Sequence, residues 1–232
     1  MTDKIFVQYG CGLSTAPSWM NFDVSPRLRI ERLPAVGRLF DMMGKKLYPD
    51  EVIYGDIVSG LPIADRSADA VFCSHVLEHI DRRGVESALR NSFRILKSGG
   101  IFRLIVPDLK WRAERLLEDI AANDTHAADR FMQSSCLGEE TRAQGVSGLA
   151  RAALGNSQHR WMYDKATMIR LLNEAGFVEI RECAMGDSGE PAFDEVEQHD
   201  RFYDEGHKEL ALQAIRPYAD VDKSQSVSPN RK

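Results

Sequence analysis

Short apolar runs separated by amphipathic stretches recur along this chain, and that alternation restricts the folds open to it more than any other feature. Lys4 to Tyr9 contains the run Ile-Phe-Val and ends at Gly10-Cys11-Gly12, which reads as a strand followed by a tight turn. Met20–Val24, Glu51–Tyr54 and Ala70–Cys73 read as three more short strands. Behind Pro34, the residues Leu33, Val36, Phe40, Met43 and Leu47 recur at three- and four-residue steps, the pattern of an amphipathic helix. Val85–Lys97 has helical spacing through Val85, Leu89, Phe93 and Leu96 and is expected to stop at Gly99-Gly100. Ile101–Val106 is a nearly continuous apolar run broken only by Arg103, as expected inside a parallel sheet. Asp108 is placed to cap a helix through Trp111, Leu116, Leu117 and Ile120, and Asp164 to cap another that Gly176 closes. Two strands, Phe177–Cys183 and Glu209–Ile215, complete the pattern. Strands alternating with helices, then two closing strands, predict an α/β fold with a doubly wound, mostly parallel sheet and an antiparallel edge.

At 232 residues the chain suits one domain with a substantial core, expected over residues 1–217. The pattern weakens from Asn123 to Gln158, where a helical cap or mobile lid is expected within an insertion at about 109–163. The polar stretch 218–232 is expected to be disordered. A formal net charge of −5 argues against broad electrostatic capture of nucleic acid, and no nucleic-acid partner is expected. Four cysteines without CxxC spacing, and a start without a long apolar run, lead to the expectation of a reduced, cytoplasmic protein. Arg27, Arg29, Arg32, Arg38, Lys45 and Lys46 form a basic cluster beside the Leu33–Leu47 stripe. It reads as a solvated face, with a peripheral membrane or phosphate role as the alternative.

Gly10-Cys11-Gly12 follows a strand, where a doubly wound sheet places its first ligand-binding turn, although a plain tight turn has the same signature. The dinucleotide pattern GxGxxG fails because its third glycine position holds Thr15. Asp23 ends the second strand, from which a carboxylate can accept both hydroxyl protons of a ribose. Asp56 follows the third strand, where it can accept from an adenine amino group while Ile57 packs on the ring. Taken singly, either aspartate can equally be a turn or cap residue.

In order, these pieces resemble the class I S-adenosylmethionine-dependent methyltransferases, specifically the small-molecule branch called methyltransferase type 11. The resemblance runs from about Lys4 to Pro107 and resumes from His159 to about Ile215. Tyr54-Gly-Asp-Ile-Val-Ser-Gly-Leu-Pro-Ile, the run Val71-Phe-Cys-Ser-His-Val-Leu-Glu-His-Ile80 and Leu96-Lys-Ser-Gly-Gly-Ile-Phe102 carry it, with Val106-Pro-Asp108 ending the fifth strand. It implies a Rossmann-like fold and S-adenosylmethionine as cofactor. By position, Gly10 and Gly12 would line its methionine part, Asp23 would hold the ribose, and Asp56 with Ile57 the adenine. Ser74 and His75 would face the sulfonium and the incoming substrate. Two features depart from the family: Gln8 stands where an acid is usual, and only ten residues separate Gly12 from Asp23, too few for the usual helix.

The expected reaction is methylation of a small molecule or a sugar or glycan intermediate, which requires no metal. His75, His159 and Tyr163 are the candidate catalytic residues, the last two from the polar, aromatic segment His159-Arg-Trp-Met-Tyr-Asp164. Two rival readings stand beside this one. His75-Val-Leu-Glu-His79 matches the inverted zinc-peptidase pattern HxxEH, which would make a zinc hydrolase of His75, Glu78 and His79. Because the motif begins directly after a buried strand rather than within a long helix, no metal is expected. The shortened first loop and Gln8 motivate the other rival, a non-catalytic relative that binds cofactor.

Overall fold

A computed structural model of the chain describes residues 4–138 and 158–218. Seven strands form one sheet in the order β3-β2-β1-β4-β5-β9-β6. They are β1 (Phe6–Tyr9), β2 (Trp19–Asp23), β3 (Val52–Tyr54), β4 (Ala68–Ser74), β5 (Leu96–Val106), β6 (Val178–Glu182) and β9 (Leu210–Ile215). The first five pair in parallel, whereas β9 runs antiparallel to both β5 and β6. The expected antiparallel strand is therefore present one place in from the edge. Two-residue strands β7 (Tyr203–Asp204) and β8 (His207–Lys208) form a separate hairpin.

The helices are α1 (Pro26–Glu31), α2 (Pro34–Met42), α3 (Arg82–Ile95), α4 (Leu109–Ala121), α5 (Ala127–Ser134), α6 (Lys165–Ala175) and α7 (His199–Phe202). Side chains cap four of them: Asp108 accepts from the amide of Lys110 and Asp164 from that of Thr167, both as expected, while Ser25 accepts from Arg27 and Asp81 from Arg83 and Gly84. Gly176 ends α6 in the left-handed conformation, φ +102°. Helix α3 stops earlier than its spacing suggests, passing straight into β5 at Leu96. Gly99-Gly100 thus lies inside a strand. Gly99, at φ +77°, sits beside an irregularity in the β4–β5 register, where an extended L-residue does not fit.

The faces of the sheet are covered differently. On one, α3 and α6 pack over Val7, Phe22, Val71, Phe102 and Leu104. The other has no helix between β1 and β2, which the ten-residue spacing anticipated. Its cover is Phe193, Val196 and Phe202 from the segment between β6 and β9, packed on Phe6, Trp19 and Phe72. The Trp19 indole donates to the carbonyl of Ala192 at 2.9 Å, and Glu195 accepts from the amide of Ser18 at 3.1 Å. Arg103, which looked like an interruption of an apolar strand, ties this cover down. Its buried guanidinium pairs with Glu197 at 2.9 Å and Asp187 at 3.0 Å and donates to the carbonyl of Ala184.

Helix α5 packs against α4 and occupies part of the stretch expected to be a lid, while residues 139–157 and, of the expected tail 218–232, residues 219–232 lie outside the described residues. Helix α2 is shorter than its stripe, and none of its residues is buried; Leu39 and Met42 are 54% and 84% exposed. Of the basic cluster, Arg27, Arg32 and Lys46 are engaged by Glu31, by carbonyls at Pro49 and Val52, and by Asp50. No helix among the described residues is long and apolar enough to cross a membrane.

Candidate active site

The carboxyl ends of β1 to β4 open into a cleft of about 530 Å³, lined among others by Gly10, Asp23, Tyr48, Asp56, Ile57 and His75. It lies where the strand order reverses between β1 and β4, the usual ligand position in a doubly wound sheet. Gly10 has φ +67°, and a Cβ there would lie 2.2 Å from a methyl of Val76, so only glycine fits. The turn folds back onto β2. The amide of Gly12 donates to Asp23 Oδ2 at 2.9 Å and that of Ser25 to Oδ1 at 2.7 Å. Two backbone donors aim the carboxylate and leave about half its lone-pair sites for a ligand. Asp56 is held likewise, by the amide of Val58 and the hydroxyl of Ser59. Ile57 is buried beside it.

Gln8, in place of the usual acid, is consumed internally. Its buried amide donates to Asn21 Oδ1 and to the carbonyl of Ser14, holding the short 11–18 loop. Ser74 lines a smaller hollow that also touches Gly10, Cys11 and Arg201. The buried Ser74 hydroxyl has no hydrogen-bond partner among the described residues, so it is available to a ligand. Arg201 was not legible in the sequence, because nothing local marks an arginine on a four-residue helix as reaching this hollow.

The three candidate catalytic residues differ in position. His75 follows β4 directly at φ +54°, a strained conformation for a residue with a Cβ, and lines the cleft. Both its ring nitrogens are engaged: Nε2–H donates to the carbonyl of Arg201 at 3.0 Å, and Nδ1 lies 3.4 Å from Glu78 Oε1. Burial works against its charged form, but Glu78 more than offsets this and raises its pKa. His159 approaches Glu78 as well, at 4.0 Å, with its ring edge-to-face on His79; burial lowers its pKa. Tyr163 is buried in the core, and burial pushes its hydroxyl up to about 12. The sequence placed Tyr163 with the substrate because its segment is polar and aromatic, yet Met162 and Tyr163 turn inward while Trp161 stays 47% exposed.

Residues 8–104 match the family model of the methyltransferase domain. No curated protein matches the chain significantly. Solved structures similar to it include a SAM-dependent methyltransferase from Methanosarcina mazei, at 14% identity over 94% of this chain and 95% of that one, with a TM-score of 0.49. Another is a SAM-dependent methyltransferase from Thermotoga maritima, at 16% identity, 93% and 83% coverage, and a TM-score of 0.45. A third is a chain of the complex between the Haloferax volcanii Trm112 methyltransferase activator and a methyltransferase, at 18% identity, 93% and 84% coverage, and a TM-score of 0.46. Residues 8–104, carried on this Rossmann-like sheet, are thus a methyltransferase domain, whose cofactor is S-adenosylmethionine. The glycine cradle at Gly10 and the unpartnered Ser74 hydroxyl fit that cofactor.

Proposed function

We propose that the protein methylates a small molecule or a sugar or glycan intermediate that enters beside His75. The observation that carries this reading is the convergence of Gly10, Asp23, Asp56 and Ile57 on one cleft of small-molecule size. Asp23 accepts the ribose hydroxyls, Asp56 the adenine amino group, and Ile57 packs against the adenine ring. Gly10 and Gly12 admit the methionine part, with Ser74 donating to it. Arg201, which makes no ion pair among the described residues, supplies the positive charge for the methionyl carboxylate.

The cofactor brings a methyl group activated on a sulfonium, so the protein's task is chiefly to align donor and acceptor in line. His75 forms the wall on the acceptor side. With both nitrogens engaged it positions the acceptor by shape rather than by presenting a free base.

Calorimetric titration with S-adenosylmethionine and S-adenosylhomocysteine, with NAD as control, tests the first half of this reading. Methyl transfer to a panel of hydroxyl and amine acceptors tests the second. Binding of both sulfur nucleosides but not NAD is expected. Binding without turnover on any acceptor would instead favour a non-catalytic relative.

A further inference from the structure

Glu78 is fully buried, yet among the described residues neither carboxylate oxygen has a hydrogen-bond partner. Three imidazoles face its Oε1: His75 Nδ1 at 3.4 Å, His79 Nε2 at 3.9 Å and His159 Nε2 at 4.0 Å. A buried, uncompensated carboxylate is costly.

The other ring nitrogens explain the geometry. His79 Nδ1–H donates to the carbonyl of Gln158 at 3.0 Å, as His75 Nε2–H does to that of Arg201. A carbonyl can only accept, so in a neutral His79 ring the nitrogen facing Glu78, Nε2, carries a lone pair. Lone pairs and a carboxylate converging on one point form a cation site, and a backbone acceptor behind a ligating histidine is the usual device for fixing its tautomer.

We propose that Glu78, His79 and His159 bind one divalent transition-metal ion, zinc or a first-row neighbour of similar ligand preference, at the rim of the cofactor cleft. The three ligand atoms lie within 4.8 Å of one another. An ion with bonds of about 2.1 Å needs them roughly 3.4 Å apart in a tetrahedral shell, so each side chain moves inward by only about half an ångström. Two imidazoles and a carboxylate suit zinc and its neighbours rather than magnesium or calcium, which favour oxygen.

The protein holds both halves of the site in place. The carbonyl of Glu78 accepts from the amides of Arg160 and Trp161, docking the segment that carries His159 onto the turn that carries Glu78 and His79. His79 also lines the cleft, so a free coordination position would meet an acceptor hydroxyl there and lower its pKa. That last role rests on the methyl-transfer reading; the metal site does not. The HxxEH pattern pointed to His75, Glu78 and His79 on one helix. Here the third ligand comes instead from a distant segment, and His75, although 3.4 Å from the same oxygen, is not one of the three grouped ligands.

The test uses the full chain, stripped with a chelator, dialysed, and titrated with zinc and with cobalt(II), without cofactor or acceptor. One equivalent of zinc is expected, with a rise in Tm that chelator reverses, and cobalt should give the visible d–d bands of a four- or five-coordinate site. His159→Ala and Glu78→Gln should each weaken zinc binding at least 100-fold, while His126→Ala, at an exposed histidine, should leave it unchanged. If Glu78→Gln fails to fold, His159→Ala still decides. Retention of tight, stoichiometric zinc by His159→Ala would overturn the proposal, as would absence of both binding and a Tm shift in the unsubstituted protein. S-adenosylhomocysteine affinity, measured separately on the stripped protein, tells failure of the metal site from failure of the methyltransferase reading.

Discussion

Two backbone amides fix the Asp23 carboxylate before any ligand arrives, so its removal is expected to act on binding more than on folding. Asp23→Ala should weaken S-adenosylhomocysteine binding by about 1–3 kcal/mol, the cost of leaving ribose hydroxyls without a charged acceptor. Arg201→Ala should cost about 1.5–3 kcal/mol against S-adenosylhomocysteine and much less against adenosine, which lacks the methionyl carboxylate. Calorimetry on both ligands reads both variants; equal losses on the two would remove Arg201 from the carboxylate. The cap at Asp164 gives a pH test. Its hydrogen bonds with Thr167, and burial only partly opposing them, hold its pKa below the ordinary 3.8. A carboxyl depressed on folding stabilises fully above its unfolded pKa and loses that contribution as pH falls through the folded one. Asp164→Ala should therefore cost about 0.5–2 kcal/mol near neutrality. In urea denaturation the gap between variant and parent should shrink below pH 3.8, and a gap independent of pH would refute the assignment. The positions of Asp23 and Asp56 at strand ends and of Asp164 at a helix cap were legible in the sequence because strand ends and caps are local. Arg201 and the pairing of His159 with Glu78 were not, since each depends on distant segments meeting.

Among the elements, β5 and the segment after β6 depend on each other through Arg103. Removing one partner of a buried pair leaves the other uncompensated, so Arg103→Met should destabilise the protein by about 3–5 kcal/mol through Glu197. The double variant Arg103→Met with Glu197→Leu should recover much of that loss in denaturant melts. If the double variant is no better than the single one, Glu197 is not the group left stranded. The periodicities that announced α3, α4 and α6 held because each buries its apolar stripe or is capped by its own neighbours. The stripe at 33–47 misled about packing: the residues are helix-forming, but α2 finds no surface to cover. The short first loop was visible as a count of residues. What takes the place of the missing helix was not, because Phe193 and Phe202 carry no sign of the sheet face they meet.

Across the whole molecule, the cleft draws its walls from four strand ends and their loops, so a ligand there should stabilise the fold by mass action. At a hundredfold excess over Kd, S-adenosylhomocysteine should add about 2.7 kcal/mol, read as a rise in Tm that grows with concentration and is absent with NAD. A mostly parallel sheet with an antiparallel strand was foreseeable from the alternation of elements and the two closing strands. The placement of β9 inside β6 was not, because either order satisfies the same apolar pattern.

The cover over Trp19 and Phe72 also governs the order in which this protein can be assembled. The bonds from Ser18 to Glu195 and from the Trp19 indole to Ala192 join residues 177 and 173 positions apart. As the chain leaves the ribosome, β1, β2 and β4 emerge with an aromatic face that stays bare until nearly all the described residues have been synthesised. Closing contacts of such long separation is slow, and the exposed surface is a target for chaperones or for other nascent chains. Synthesis, rather than the finished molecule, is thus the stage at which this protein is most vulnerable to aggregation.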